Sequence, residues 1–210
     1  PPNISHYERI TIMAKFTQIP TNTFQELQIN AGIICSDFTP ATGTIGESGQ
    51  IGATTGGINF TATPSFTDFG DDVDNCPKNT KELKRLDDVE VKASGTFVTC
   101  NTTVAKMLMA AADIGTTDTT KVTPRRDLAS ADFDDIWIVG DYSDKNGATN
   151  GGFIAIKLLN ALSTGGFQLQ TADKAKGQMA FEFTAHYSIS AQTVVPYEVY
   201  IKAGTAESGD

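Results

Sequence analysis

The chain has 210 residues, a formal net charge of −9, and 40% hydrophobic against 20% charged residues. That length suits one sandwich or barrel domain with a core that needs no disulfide staples, and the balance excludes a disordered polymer. The acidic surplus excludes a protein that grips nucleic acid by its phosphates, and no apolar run reaches the length of a membrane helix.

Pro1-Pro2 precede Met13-Ala14-Lys15, which has the form of a natural start. Residues 1–12 are therefore expected to be an upstream leader or extension, with no secretion pattern in it. Residues 13–204 are expected to form one domain and residues 205–210 a polar tail. Phe24, Leu27, Ile29, Ile33 and Ile34 suggest an opening strand within 23–35. From Asp37 to Gly57 come six glycines and five threonines and little to fill a core. Two readings stand for this stretch, a flexible loop and an arm that orders against a neighbouring subunit. Loops this long without structure are usually functional, which favours the arm. Its candidate residues are Thr42, Gly43, Gly46, Glu47, Gly49, Gly52 and Gly56. Deleting the stretch from Thr42 to Gly56 is expected to leave a folded subunit that cannot elongate.

Ile58, Phe60, Ala62 and Phe66 mark a second strand, and Asn79 or Thr80 is placed to cap a short helix through about Leu86. Across 88–100, Val89, Val91, Ala93, Gly95 and Phe97 alternate with polar residues, the pattern of a half-buried antiparallel strand. Thr102 or Thr103 is expected to cap the one convincing helix, Val104 to Asp113. A polar loop runs from Gly115 to Ala129, and Ser130 opens a single turn. Ile136 to Val139 and Phe153 to Leu159 form a hairpin around a turn at Asp144-Lys145-Asn146-Gly147. Further strands are expected at 166–171, 178–189 and 195–201. The sum is a mainly β fold: an antiparallel β-sandwich or barrel of about eight strands, one flanking α-helix and a long loop or arm.

Chemistry-bearing motifs do not emerge. There is no Gly-x-Ser-x-Gly and no His-Glu-x-x-His. His186 sits alone on a strand face and reads as structural. Asp71, Asp72 and Asp74 run into Cys76-Pro77, which breaks the calcium-loop spacing, so a solvated acidic turn is expected. Cys35, Cys76 and Cys100 are widely spaced and odd in number, as free thiols would be. Asn59-Phe60-Thr61 and Asn101-Thr102-Thr103 match glycosylation acceptors by chance. No catalytic residue, metal or cofactor is expected.

Several stretches carry a family resemblance. They are Asp68-Phe69-Gly70-Asp71-Asp72-Val73-Asp74-Asn75-Cys76-Pro77 running on to Leu83, and Gly95-Thr96-Phe97-Val98-Thr99 before a helix. Three more follow near the C-terminus: Asn160-Ala161-Leu162-Ser163-Thr164-Gly165-Gly166-Phe167, Thr171 to Gln178, and Pro196-Tyr197-Glu198-Val199-Tyr200-Ile201. From Met13 to about Gly204 the chain resembles the major tail proteins, the tail-tube subunits of long-tailed, non-contractile phages and prophages of Gram-positive bacteria.

The resemblance implies a structural virion protein, assembled in the host bacterial cytoplasm. Its rings, typically hexameric, stack into a tube whose lumen conducts DNA without binding it. The implied partners are other copies of the chain and the tail-tip initiator, tape-measure and tail terminator proteins; no membrane is involved. An acidic wall suits a DNA conduit, and stacking of acidic subunits is expected to improve as salt screens them. The lumen-facing residues are not assigned. Two alternatives remain. One is the tube protein of a contractile tail or phage-derived bacteriocin. The other is a carbohydrate-binding β-sandwich adhesion module, which needs an exposed aromatic platform from a chain with one tryptophan, Trp137.

Overall fold

Period-two alternation over 88–97 and 179–184 gives these strands one apolar side, and such sides must meet each other or stay wet. In the computed structural model, which describes residues 19–20, 22–23, 26–28, 30–47, 49–141 and 151–204, they meet by folding one antiparallel sheet over on itself. The strands are β1 (Ile33–Cys35), β2 (Phe38–Thr39), β3 (Thr44–Ile45), β4 (Gln50–Gly52), β5 (Thr54–Asp68) and β6 (Lys84–Phe97). Then come the helix α1 (Thr102–Leu108), β7 (Ala112–Ile114), β8 (Val122–Pro124), β9 (Asp134–Asp141), β10 (Phe153–Ser163), β11 (Met179–Thr184) and β12 (Tyr197–Lys202). One-turn 3-10 helices occupy Lys81–Leu83 and Ser130–Asp132.

The main sheet has eight strands in the order β4-β1-β9-β10-β11-β6-β5, with β12 also paired to β10. β2–β3 and β7–β8 are separate two-stranded pieces. The fold-over happens within β10. Its first half, Phe153 to Leu158, lies between β9 and β12, and its end, Leu162 and Ser163, pairs with β11. The register slips between Leu158 and Ala161, where Asn160 takes a left-handed φ of 48°. Asparagine tolerates that conformation better than most residues. Here it is clamped: its N–H donates to Asp135 Oδ1 and its side-chain amide to the His186 carbonyl, each at 3.1 Å. The His186 ring returns a contact from Nδ1 to the Asn160 carbonyl at 3.1 Å and sits edge-on to Phe133. His186 therefore serves the bend, the structural role expected of it.

Between the layers lies a core of Ile34, Val91, Phe97, Val104, Leu108, Ile136, Leu158, Phe181 and Phe183, all buried. The two faces expected of β6 are realised, with Val89, Val91, Ala93 and Phe97 inward. Gly95 is required there, because a Cβ would stand 2.7 Å from the Phe181 ring. The helix closes one flank through Val104 and Leu108, and Ser163 Oγ donates to the Leu108 carbonyl at 3.1 Å. Its cap is Asn101, whose Oδ1 accepts from Val104 N at 2.8 Å, rather than Thr102 or Thr103. Such caps contribute about 1 kcal/mol. The helix stops at Leu108, short of Asp113, because Ala110 turns left-handed (φ 63°) and Ala112 enters β7.

Other expectations are corrected in detail. The helix placed after Thr80 is a single 3-10 turn, since Lys84 onward is drawn into the β5 ladder. No strand forms at 166–171; one bridge, Gln170 to Gln178, is all that pairs there. β11 ends at Thr184, and Ile189 is 90% exposed. Among the described residues of the expected opening strand only Ile33 to Cys35 pairs. Phe24, Ile29, the leader 1–12, the turn at Asp144 to Gly147 and the tail 205–210 lie outside the described residues.

Candidate assembly surfaces

The stretch from Asp37 to Gly57 is not an open loop. β2 and β3 pair through Phe38–Ile45 and Thr39–Thr44, and this hairpin lies on the outer face of β1, β9 and β10. Phe38 is buried against Trp137 and Phe153, at ring separations of 5.5 and 5.2 Å. Gly43 turns with φ 68°, and a Cβ on it would stand 3.3 Å from the Phe153 ring. Gly49 is buried, Gly46 and Gly52 are half-buried, and Ile51 joins the main core. A Cβ at Gly52 would meet the Phe97 ring at 3.0 Å. Thr42, Glu47 and Gly56 are exposed. Two of the glycines expected to free an arm, Gly43 and Gly52, thus let the backbone lie close to aromatic rings of the same chain, and Gly46 and Gly49 let it pass close to Asp37. Deleting Thr42 to Gly56 would remove β3 and β4 with their core contacts, so the deletion expected to spare the fold does not test assembly alone.

The element that projects is the ribbon of β5 and β6. β11 follows β6 only as far as the Thr184–Lys92 pair, and beyond it among the described residues the ladder is two strands wide. On the core face of this ribbon, Ala62 pairs with Val91 and Pro64 with Val89. Two residues further on β5, Phe66 pairs with Leu86 on the same face. The core covers Val89 and Val91, whereas Phe66 is 54% exposed and Leu86 48%. The apolar face continues; its cover does not.

An isolated two-stranded ribbon is marginal in water, and this one carries reinforcement. Lys84 Nζ stands 5.1 Å from the Phe66 ring centre, and Arg85 stacks 4.9 Å from Phe69. Ser65 donates to Asp88 at 2.7 Å and Thr67 to Asp87 at 2.5 Å. The Thr67 hydroxyl, and then Arg85, hold the Asp87 carboxyl below its usual range. The tip loop is folded too. Asp68 accepts from the N–H groups of Gly70 at 2.9 Å and Asn79 at 3.1 Å, and Phe69 N donates to the Leu83 carbonyl at 3.0 Å. Asp71, Asp72 and Asp74 ride exposed on this tip. Among the described residues no group of three or more His, Cys, Asp or Glu is placed to hold a metal ion.

Two further surfaces are unfinished. β12 pairs with β10 on one side and has no strand on the other among the described residues. Tyr197 packs on Phe60, at 5.7 Å between rings, while Val199 and Ile201 on the same side of the strand are exposed. β5 is the other long edge, and it is blunted. Gly56 and Gly57 both take positive φ in a bulge, and Pro64 removes a donor. β12 has neither device. On the flank beside α1 lies a cleft of about 520 Å³. Its lining is mixed: Ile51, Met107 and Phe183 stand beside Asn101, Thr103, Lys106 and the acids Asp132, Asp134 and Asp135. Asp135 is paired with Lys157 at 2.8 Å; Asp134 has no salt-bridge partner among the described residues.

The three cysteines are free thiols. Burial, and then the Asp37 charge, push Cys35 from 9.0 to about 11, whereas Cys100 is exposed. Alkylation at pH 8 is expected to label Cys100 readily and Cys35 only on unfolding, measured by mass spectrometry of timed samples. The folded chain keeps the Cys35 proton that the unfolded chain gives up. Its contribution to stability is therefore fully present below pH 9 and is lost as pH rises to about 11. Equal labelling of the two cysteines in the native protein would contradict the burial.

Trp137 lies under Phe38 and beside Tyr200, so it provides no platform for a sugar. No helix among the described residues is long and apolar enough to cross a membrane. No protein-family model matches the chain, and no curated protein matches it.

Proposed function

We propose that this chain is a structural subunit of a phage tail tube, closing rings with copies of itself and stacking them around a channel for DNA. The observation that carries this reading is the β5–β6 ribbon, whose core face runs past the core with Phe66 and Leu86 uncovered. An apolar face that continues a core and stops being covered fits completion by another copy. The edge of β12 that has no strand partner among the described residues adds a second self-complementary element, since strand edges left open pair with other chains. Closed symmetry gives such edges an end point, and head-to-tail contacts give a stack its direction. The acidic surplus suits a wall along which phosphates slide.

The test is negative-stain electron microscopy of the purified protein over a concentration series, with light scattering on the same samples. Rings or hollow tubes with a central channel are the expected result. A monomer at every concentration, unchanged when tail-tip complex is added, would overturn the proposal.

A further inference from the structure

The outer edge of β12 has a fixed order of backbone groups. Leu159 N donates to the Pro196 carbonyl at 3.0 Å, so Pro196 turns toward β10. Backbone groups alternate along an antiparallel strand, so Glu198, Tyr200 and Lys202 turn theirs toward β10 as well. Val199 and Ile201 therefore aim their N–H and carbonyl groups at the edge that has no strand partner among the described residues. These two side chains are 45% and 59% exposed, and Glu198 and Lys202 are exposed beside them.

Side chains alternate too. Tyr197 packs on Phe60, so Val199 and Ile201 share its face of the strand. Glu198, Tyr200 and Lys202 share the other face, where Tyr200 lies beside Trp137. There Glu198 accepts from the Tyr200 hydroxyl at 2.5 Å, and Lys157, opposite Glu198 on β10, is held by Asp135 at 2.8 Å.

A strand added to this edge must match both orders. β5 is blunted by its Gly56–Gly57 bulge and Pro64, and β4 has only Gln50–Gly52. β12 matches itself. Laid antiparallel against a second β12, it fits only in registers centred on a residue; a centre between residues sets an outward backbone group against an inward one. Centred on Val199, Glu198 meets Tyr200 of the second copy, and centred on Ile201, Lys202 does. Centred on Tyr200, Glu198 of each copy meets Lys202 of the other, and Val199 meets Ile201. That register pairs opposite charges on one face and apolar side chains on the other, and each Val199–Ile201 pair exchanges both backbone hydrogen bonds.

We infer that β12 pairs antiparallel with β12 of a second copy of this chain, about a two-fold axis at Tyr200. The contact is isologous and closes at two copies, so each edge covers the other and no further strand can add. It goes beyond the tube-subunit reading and does not rest on it.

Cross-linking tests the register. In a Cys76→Ser, Cys100→Ser background, Val199→Cys and Ile201→Cys are made separately, mixed and oxidised. Both replaced side chains are exposed, and a thermal melt checks each variant's fold. Facing residues of a hydrogen-bonded pair lie about 5.5 Å apart between Cα atoms, within the span of a disulfide. A disulfide between the two variants, formed about tenfold faster than in either variant alone, is the expected result. Charge reversal is the second measurement, read as the dimer dissociation constant by sedimentation. Glu198→Lys or Lys202→Glu alone sets like charges opposite each other twice and is expected to weaken the dimer by about tenfold or more. The two together are expected to restore most of it.

Faster cross-linking of either variant with itself than with the other would overturn the inference. A monomer at every concentration without the mixed disulfide would also overturn it; an edge covered by another segment of the same chain gives that result. Rings or tubes that form without the mixed disulfide would overturn it and leave the tube reading standing. A cross-linked dimer that forms neither rings nor tubes, even with tail-tip complex added, would uphold the inference and overturn the tube.

Discussion

Replacing Phe66 and Leu86 together by serine is expected to leave a folded subunit that no longer forms tubes. Both side chains are about half exposed in the single chain, so the substitutions leave no cavity in its core. The loss within the subunit is the stacking of Lys84 on Phe66, about 0.5–1 kcal/mol at an exposed site, and the cross-strand contact of the pair, roughly 0.2–1 kcal/mol. Between subunits the loss is larger. Burying a large apolar side chain from full exposure contributes about 1.5–3 kcal/mol; with half of each already covered, the pair is worth roughly 1.5–3 kcal/mol per contact. Each 1.4 kcal/mol is about tenfold in affinity, which puts the weakening at about tenfold to a hundredfold. A ring repeats the same contact in every subunit, and multivalent assembly amplifies such losses. Circular dichroism and a thermal melt check the fold, and sedimentation with microscopy checks the tubes. Normal tubes from the double variant would show that the ribbon's apolar face is not an assembly surface.

The second large effect is on stability. Phe97→Ala is expected to destabilise the subunit by about 3–5 kcal/mol, measured by urea unfolding. Phe97 is fully buried at the end of β6, paired with Thr54 on one side and Met179 on the other. Its ring packs on Phe181 with 4.4 Å between centres and closely faces the Gly52 backbone. β4 and β11 therefore meet on this ring while β5 and β11 pair with its backbone, and none can collapse into its space without breaking a ladder. Domains of this kind hold about 5–15 kcal/mol in all. The variant should unfold at much lower urea, and its assembly should fail with the fold. That pattern separates it from the ribbon variant, which keeps the fold and loses the assembly. A loss below about 1 kcal/mol would mean the core repacks around the gap.

Much of the architecture was legible because strand burial has a strict period. The alternation over 88–100 placed Val89, Val91, Ala93 and Phe97 inside, and they are inside. Phe181 and Phe183 followed by the same rule, and the hairpin of β9 and β10 followed from two apolar runs around turn residues. The errors cluster where local composition and tertiary packing disagree. The glycines from Asp37 to Gly57 suggest a loose chain, yet a glycine serves equally to loosen a chain and to let it pass close to a ring. The Phe153 and Phe97 rings decide for close passage at Gly43 and Gly52. Phe38 and Ile51 are single apolar residues in a polar stretch, too sparse to register as a pattern, yet both are buried. The turn after Thr80 had helix-capping residues, but β5 offered Lys84 onward a ladder partner, and long-range pairing overrode the local preference.

The candidate surfaces divide along the same line. Phe66 and Leu86 are ordinary strand residues in the sequence, and nothing local distinguishes them from Phe60 or Val91. Only the lengths of neighbouring strands decide which apolar pairs are covered: β11 stops at Thr184, and the ribbon runs on. Asp134 and Phe183 are 49 positions apart and meet across one cleft through the fold-over at Asn160. By itself the sequence determined the mainly β class, the inward faces of β6 and β11 and the absence of recognisable catalytic motifs, because periodicity and composition are local properties of the chain. The tertiary structure alone decided which of those inward faces lack a cover, because covering depends on where distant strands end.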